Sequence, residues 1–144
     1  MPKSVQVVAG EAGPEANNVV LIRYADGSLV SLTFSDRGDL RPHVHEYIDI
    51  KARGLHFMVN DFKRLTQYED GWIRRLWSGN AERGWEREVE LAVDGMLGGP
   101  LPRPYDEVVT SAMLILEARL SFEAGGEVRN IDLGRLHSYW KGLV

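Results

Sequence analysis

The chain has 144 residues, of which 44% are hydrophobic, and a formal net charge of −4 at pH 7. Its length and apolar content predict a single domain, residues 1–144, with enough apolar side chains for a core. The negative charge disfavours binding to nucleic-acid phosphates or to anionic lipid. The absence of cysteine excludes disulfides, thiolate metal sites and a cysteine nucleophile.

No segment approaches the roughly 20 consecutive apolar residues of a membrane-spanning helix. The first residues also lack the apolar centre of a signal peptide. We therefore expect a soluble cytoplasmic protein with neither a membrane nor a nucleic acid as its partner.

Short runs rich in β-branched and aromatic residues occupy the first half of the chain and predict strands. Seven strands are predicted, at residues 4–9, 18–25, 28–35, 43–51, 55–60, 64–69 and 72–77. Asp26-Gly27 and Asp70-Gly71 each separate two of these runs, and Asp-Gly favours a two-residue type I′ turn because both central positions need positive φ. A last edge strand is predicted within residues 127–133.

Two amphipathic helices are predicted over about residues 82–97 and 106–124, each ended by a glycine pair. Their apolar faces are expected to comprise Trp85, Val89, Ala92, Val93, Met96 and Leu97 in the first helix, and Val109, Ala112, Met113, Leu116 and Leu120, widened by Val108 and Ile115, in the second. A short terminal helix is predicted after Gly134. Hairpins followed by helices favour an α+β fold, an open, mostly antiparallel sheet with the two main helices packed on one face.

This arrangement leaves the second face of the sheet uncovered. The aromatic residues exceed what one helical layer covers: Tyr24, Phe57, Phe62, Tyr68, Trp72 and Trp77. Uncovered aromatic surface is typical of protein interfaces, so we expect a homodimer that packs through the open sheet face.

An ordered set of motifs runs through nearly the whole chain. It comprises Asn18-Val19-Val20 with Tyr24-Ala25-Asp26-Gly27-Ser28, then His45-Glu46-Tyr47-Ile48-Asp49-Ile50, Asn60-Asp61-Phe62, Gly98-Gly99-Pro100, and Leu120-Ser121-Phe122-Glu123-Ala124-Gly125. This order resembles the C-terminal domain of the glucose-fructose oxidoreductase and inositol dehydrogenase family. The resemblance implies the substrate-side and oligomerisation half of an NAD(P)-dependent sugar or polyol oxidoreductase.

Two features of that family are missing from the chain. No Gly-x-Gly-x-x-Gly lies between a strand and a helix, so no Rossmann domain is present. None of the lysines (Lys3, Lys51, Lys63, Lys141) precedes a proline, as the family's catalytic lysine does. The resemblance therefore implies that this chain alone has no catalytic or cofactor-binding residue. It places NAD(P) on a Rossmann domain elsewhere in a full-length protein or on a separate chain. The alternative is a stand-alone binding or assembly module with the same fold.

His43 and His45 lie on the same side of a predicted strand. Asp49 shares that side, and His56 lies on the neighbouring predicted strand, so a divalent metal site is compatible with the pattern. Two histidines fall short of the three protein ligands that such sites use. We assign no metal and interpret both as part of a polar or interface face.

Glu46 falls on the mainly apolar side of its strand, where a carboxylate needs a partner. We prefer an ion pair with Arg23, Arg64 or Arg119 to a role as general acid or base. Arg119 interrupts the second helix near its apolar stripe. It is compatible with holding a substrate carboxylate, although a salt bridge where helix meets sheet is the preferred interpretation.

The strand over 72–77 combines tryptophan with arginine. Such pairs stack on sugars or nucleobases and also occur at protein interfaces; the acidic chain favours the interface. The complete set of substrate or interface candidates is His43, His45, Glu46, Trp72, Arg74, Trp77 and Arg119.

Overall fold

A computed structural model describes residues 1–10, 17–35, 46–81, 83–132 and 134. Its elements are β1 (Pro2–Ala9), β2 (Asn17–Tyr24), β3 (Leu29–Ser35), β4 (Tyr47–Ala52), β5 (Leu55–Asn60), β6 (Arg64–Glu69), β7 (Trp72–Ser78), α1 (Trp85–Met96), α2 (Tyr105–Glu123) and β8 (Arg129–Asn130). Every predicted strand and both main helices have a counterpart here. The predicted terminal helix lies outside the described residues.

The chain divides into two compact units. Unit 1 comprises Met1–Asp39 and Arg103–Val144, and unit 2 comprises Leu40–Pro102. Each unit contains one four-stranded sheet in which all the pairings are antiparallel. The predicted α+β class is confirmed, with the strands divided between two sheets. The single domain predicted from chain length stays a prediction.

In unit 1 the strand order of the sheet, sheet A, is β3-β2-β1-β8. Val5 and Val7 project from the same side of β1, because side chains two residues apart share a face of a strand. Val5 pairs with Ile22 of β2, and α2 packs on this side against β1 and β8. The described hydrophobic side chains that are buried, Val5, Val7, Ile22 and Met113, all belong to this layer.

Among the described residues, nothing covers β3 in this way. Val30 lies opposite Ile22, and Leu32 and Phe34 follow on the same side of β3. All three are exposed, Phe34 to 60%. The alternation predicted an apolar side for β3 correctly, and the described residues leave that side open.

The side of α2 that meets the sheet differs from the predicted stripe. Its buried residues are Met113, Glu117 and Ser121, spaced four apart. Leu116 is 52% exposed and Ile115 is 72% exposed. Because α2 has apolar residues around its whole circumference, hydrophobic spacing alone did not determine which side faces the sheet.

In unit 2 the strand order of the sheet, sheet B, is β4-β5-β6-β7. The strands connect as successive hairpins, and the described part of this unit contains no buried hydrophobic residue. Helix α1 also buries no residue. Its predicted apolar face is exposed, from 47% at Val93 to 86% at Met96. The existence of α1 was therefore predicted correctly, but its apolar face is not buried. Of the two helices, only α2 contributes buried side chains.

The two Asp-Gly turns differ from each other. Asp70 and Gly71 both have positive φ, at 47° and 80°, so the predicted type I′ turn is confirmed. In the other hairpin only Gly27 has positive φ, and Tyr24 and Ser28 are joined by a backbone hydrogen bond. The predicted type I′ turn at Asp26-Gly27 is wrong, because the loop is longer and Asp26 accepts a hydrogen bond from the Ser28 backbone N–H, 3.0 Å between Oδ1 and N.

No helix in the described part of the chain is both long enough and apolar enough to cross a membrane.

Candidate functional site

One side of sheet B, here called the apolar face, presents hydrophobic residues from all four strands. The cross-strand pairs Ile48–Val59, Val59–Leu65 and Leu65–Trp77 form one row, and Ile50–Phe57 begins a second. The apolar face thus comprises Ile48, Ile50, Phe57, Val59, Leu65 and Trp77, none of them buried. Contiguous apolar surface of this kind is typical of a protein interface.

A bulge in β7 decides which side Trp77 occupies. Strict alternation from Trp72 would put Trp77 on the opposite side from Trp72 and Arg74. The register shifts between Leu65 and Thr66, so that Leu65 pairs with Trp77 while Thr66 pairs with Arg75. This extra residue brings Trp77 to the apolar face, with Trp72 and Arg74 at its border.

The border of the apolar face is polar. Arg74 lies opposite Gln67, and Trp72 lies opposite Glu69. The Gln67 amide donates a hydrogen bond to Glu69, with 2.9 Å between Nε2 and Oε2. A shallow cavity of about 210 Å³ lies at this border. Three sequence candidates, Trp72, Arg74 and Trp77, are therefore brought to one side of sheet B.

The other side of sheet B has a cluster around Asp49. His56 Nε2 lies 3.1 Å from Asp49 Oδ1, and the imidazole stacks on Tyr68 with 5.0 Å between ring centroids. The Tyr47 hydroxyl donates to Asp49 Oδ2 over 3.4 Å. Loss of hydration, together with the charge and hydrogen bond of Asp49, raises the pKa of the Tyr47 phenol. This acceptor-rich group is able to orient an imidazole or to bind a polar ligand.

Glu46 precedes β4, and its carboxylate binds Arg83, with 3.0 Å between Oε2 and Nη2. The Arg83 guanidinium also lies over the rings of Phe62 and Trp85, at 5.4 Å and 5.8 Å from their centroids. Glu46 therefore has the structural ion pair that was preferred, but its partner is none of the three arginines suggested by the sequence. With its carboxylate so held, Glu46 connects β4 to the start of α1.

Beside this pair, the β5–β6 turn holds Asp61 and Phe62 at φ of 49° and 51°. Left-handed backbone is unfavourable for a bulky aromatic residue. Interactions of Asp61 offset part of this backbone cost. Its buried carboxylate pairs with Lys63, and its N–H donates to the Glu46 carbonyl oxygen over 2.7 Å. This turn fixes the position of Phe62 under Arg83.

Arg119 lies on the exposed side of α2 and pairs with Glu123, with 2.6 Å between Nε and Oε1. The ion pair where helix meets sheet is instead Arg129–Glu117, at 3.0 Å, and the Glu117 side chain is only 5% exposed. The salt bridge expected at this boundary exists, but Arg119 is not its cation. The sequence signal that could have identified Glu117 is its spacing, four residues from Met113 and four from Ser121, which puts all three on one side of α2.

His43 and His45 lie outside the described residues, so their metal-binding or interface role stays a prediction. Within the described ranges, no group of three or more histidine, cysteine, aspartate or glutamate residues is arranged to hold a metal ion. Asp49 and His56, the two other residues that the sequence analysis considered for a metal site, do lie together.

No family model, curated protein or solved structure matches this chain. The resemblance to the oxidoreductase family accordingly stays a prediction.

Proposed function

We propose that this chain is a non-catalytic assembly domain that forms a homodimer through the apolar face of sheet B. The observation that supports this is the row Ile48–Val59–Leu65–Trp77, which crosses all four strands and contains no buried residue in the described structure. Covering such a row removes apolar surface from water at about 25 cal/mol per Å². The polar border with Trp72 and Arg74 matches the usual anatomy of an interface, an apolar centre with a polar rim.

The size of the face indicates the strength of this dimer. Four strands about 4.8 Å apart, with the two rows of the apolar face and the border row that contains Glu69 and Trp72, cover roughly 400 Å² in projection. That is about half of the ~800 Å² which each partner buries in a standard stable interface. We therefore expect a concentration-dependent dimer.

Light scattering over a range of concentrations tests the assembly. Ile48→Arg places a charge at the β4 end of the row and is expected to give a monomer. Ile73→Arg is the matched control, because Ile73 is 71% exposed on the other side of the same sheet, and it should dimerise like the unsubstituted chain. A monomer at every concentration, or equal loss in both variants, would contradict dimerisation through this face.

In its cellular role, we propose that the domain is the substrate-side half of an NAD(P)-dependent sugar or polyol oxidoreductase. This rests on the resemblance in ordered motifs and on the open surface available for assembly. A Rossmann domain, in the same longer protein or in a separate chain, supplies NAD(P) and the catalytic lysine. The 144-residue chain alone is expected to show neither NAD(P) binding nor turnover, and either activity measured by calorimetry or absorbance would overturn the proposal.

A stand-alone binding or assembly module is the second candidate. The division of the strands into two sheets favours it, since the family resemblance implies one open sheet. A Rossmann chain with an intact Gly-x-Gly-x-x-Gly motif should raise the mass of the complex in light scattering if the first candidate is right. No increase in mass with such a chain favours the stand-alone module.

A further inference from the structure

The side of sheet A that faces away from α2 contains a cavity of about 620 Å³. Its lining residues come from β1, β2 and β3, together with Val128 just before β8. All of these residues belong to unit 1. A volume of this size falls within the usual range for small-molecule sites.

The strand register gives the cavity its form. Gln6, Leu21 and Ser31 are cross-strand neighbours in one row, and Ser4, Arg23 and Leu29 are neighbours in a second row. The residues between these rows, Val5, Ile22 and Val30, point to the other side of the sheet, so their backbone forms the floor. The result is a trough that runs across the strands between two walls of side chains.

The charges in the trough have one sign. Among the described residues that line it, Lys3 and Arg23 are charged and none is acidic. Neither cation has a salt bridge within the described part of the chain. In a protein with a net charge of −4, two cations with no acidic residue in the described lining make this trough a local site for an anion.

The rest of the lining is apolar or neutral. Leu21, Leu29 and Val128 are 42%, 73% and 59% exposed. The Gln6 amide is held in place by donating to the Gly126 carbonyl oxygen over 2.8 Å. The described residues place no glycine-rich loop or helix N-terminus in the trough, and these are the features with which proteins usually bind phosphate. The chemistry favours a carboxylate attached to an apolar body.

We propose that the trough binds a small apolar monocarboxylate. Its carboxylate accepts paired hydrogen bonds from the planar Arg23 guanidinium, with Lys3 as a second positive charge. Its apolar body lies over the backbone floor and against Leu21 and Leu29. This site goes beyond the proposed assembly function, because it lies in unit 1 and requires no residue of the apolar face of sheet B.

Isothermal titration calorimetry with 2-naphthoate tests the proposal, and 2-naphthamide serves as the neutral analogue of the same shape. We expect saturable binding of 2-naphthoate at one site and at least about tenfold weaker binding of the amide. Arg23→Gln should weaken 2-naphthoate binding by about tenfold or more, since a charge-assisted bidentate pair is lost. Arg103→Gln makes the same charge change in unit 1, where Arg103 is exposed and pairs with Glu107, and should leave the affinity unchanged.

Equal affinity for acid and amide, an unchanged affinity in Arg23→Gln, or the absence of saturable binding would overturn the site. The thermal unfolding midpoint of Arg23→Gln should stay within about 2 °C of the unsubstituted chain, because Arg23 is exposed and makes no described ion pair. Solution mass, measured in parallel, reports the assembly proposal separately. Loss of carboxylate binding with an intact dimer would overturn only the site proposal.

Discussion

The two units contain sheets of the same size and pairing, yet among the described residues only unit 1 has a hydrophobic core. In unit 1 α2 packs on β1 and β8, and the paired residues Val5 and Ile22 are 1% and 5% exposed. In unit 2 the alternation of apolar and polar residues is equally regular, but the described residues that are buried are the polar Asp61 and Thr66. Alternation gives a sheet an apolar side, and a second layer is needed to remove that side from water.

The comparison also extends to polar groups. In unit 1 the buried Ser121 hydroxyl accepts from the Val7 N–H and donates to the Glu127 carbonyl oxygen, at 2.9 Å and 2.6 Å. In unit 2 the ion pair of Glu46 with Arg83 is only half-buried. Polar interactions are stronger where water is excluded, so we expect substitutions in unit 1 to have the larger effects on the free energy of unfolding.

The largest expected difference is between two isoleucines. Ile22→Ala in unit 1 should lower the free energy of unfolding by about 3 kcal/mol, because it leaves a cavity beside Val5 in the core. Ile50→Ala in unit 2 should lower it by less than about 1 kcal/mol in the monomer, since Ile50 is 49% exposed. Urea unfolding at concentrations below dimerisation measures both. Equal losses would break the comparison, because they would mean that the apolar face of sheet B is covered in the monomer.

The next largest difference in the free energy of unfolding is expected between the two ion pairs, Arg129–Glu117 in unit 1 and Arg83–Glu46 in unit 2. Arg129→Met leaves the Glu117 carboxylate buried without its cation and should lower the free energy of unfolding by about 2–3 kcal/mol. Arg83→Met removes a half-exposed pair and a stacking contact, with an expected loss of about 1 kcal/mol or less. Urea unfolding again provides the measurement. A larger loss in Arg83→Met would show that unit 2 is organised around Arg83 more tightly than its exposure indicates.

A smaller effect is expected from the buried hydroxyl. Ser121→Ala deprives the Val7 N–H of its acceptor and should lower the free energy of unfolding by about 1–2 kcal/mol. Ser111→Ala is the control on the same helix, because Ser111 is exposed and bonds only to the carbonyl oxygen of Glu107. Hydrogen exchange at the Val7 amide should quicken in Ser121→Ala alone. Unchanged exchange there would contradict the assigned bond.

The smallest effect concerns the exposed turn of unit 1. The hydrogen bond from the Ser28 backbone N–H lowers the pKa of Asp26 below its usual value of 3.8. A lowered folded-state pKa contributes stability that is present above the usual value and is lost as the pH falls through the lowered one. Asp26→Asn should therefore reduce the urea midpoint slightly more at pH 7 than at pH 3. A difference of the opposite sign would exclude this contribution.

Much of the secondary structure was predictable because its causes are local. Alternation, the Asp-Gly turn at Asp70-Gly71 and the glycine stops depend on neighbours a few residues away. The candidate site was predictable only in part. Trp72 and Arg74 share a side by simple alternation, whereas Trp77 joins them through a bulge that no residue in β7 signals. Arg83 was missed because it lies in a connection, where side-chain pairing follows from the path of the chain.

The sequence by itself determined the strands, the two helices and the apolar side of the strands without a bulge, since these follow from backbone geometry and the spacing of side chains. Only the tertiary structure decided that the strands form two sheets, that α2 buries Met113, Glu117 and Ser121, and that Arg129 is the cation beside Glu117. It also decided where Lys3 and Arg23 meet an apolar trough. The physical reason is that strand order and helix docking bring together residues distant in the chain, and many pairings are compatible with the same alternation.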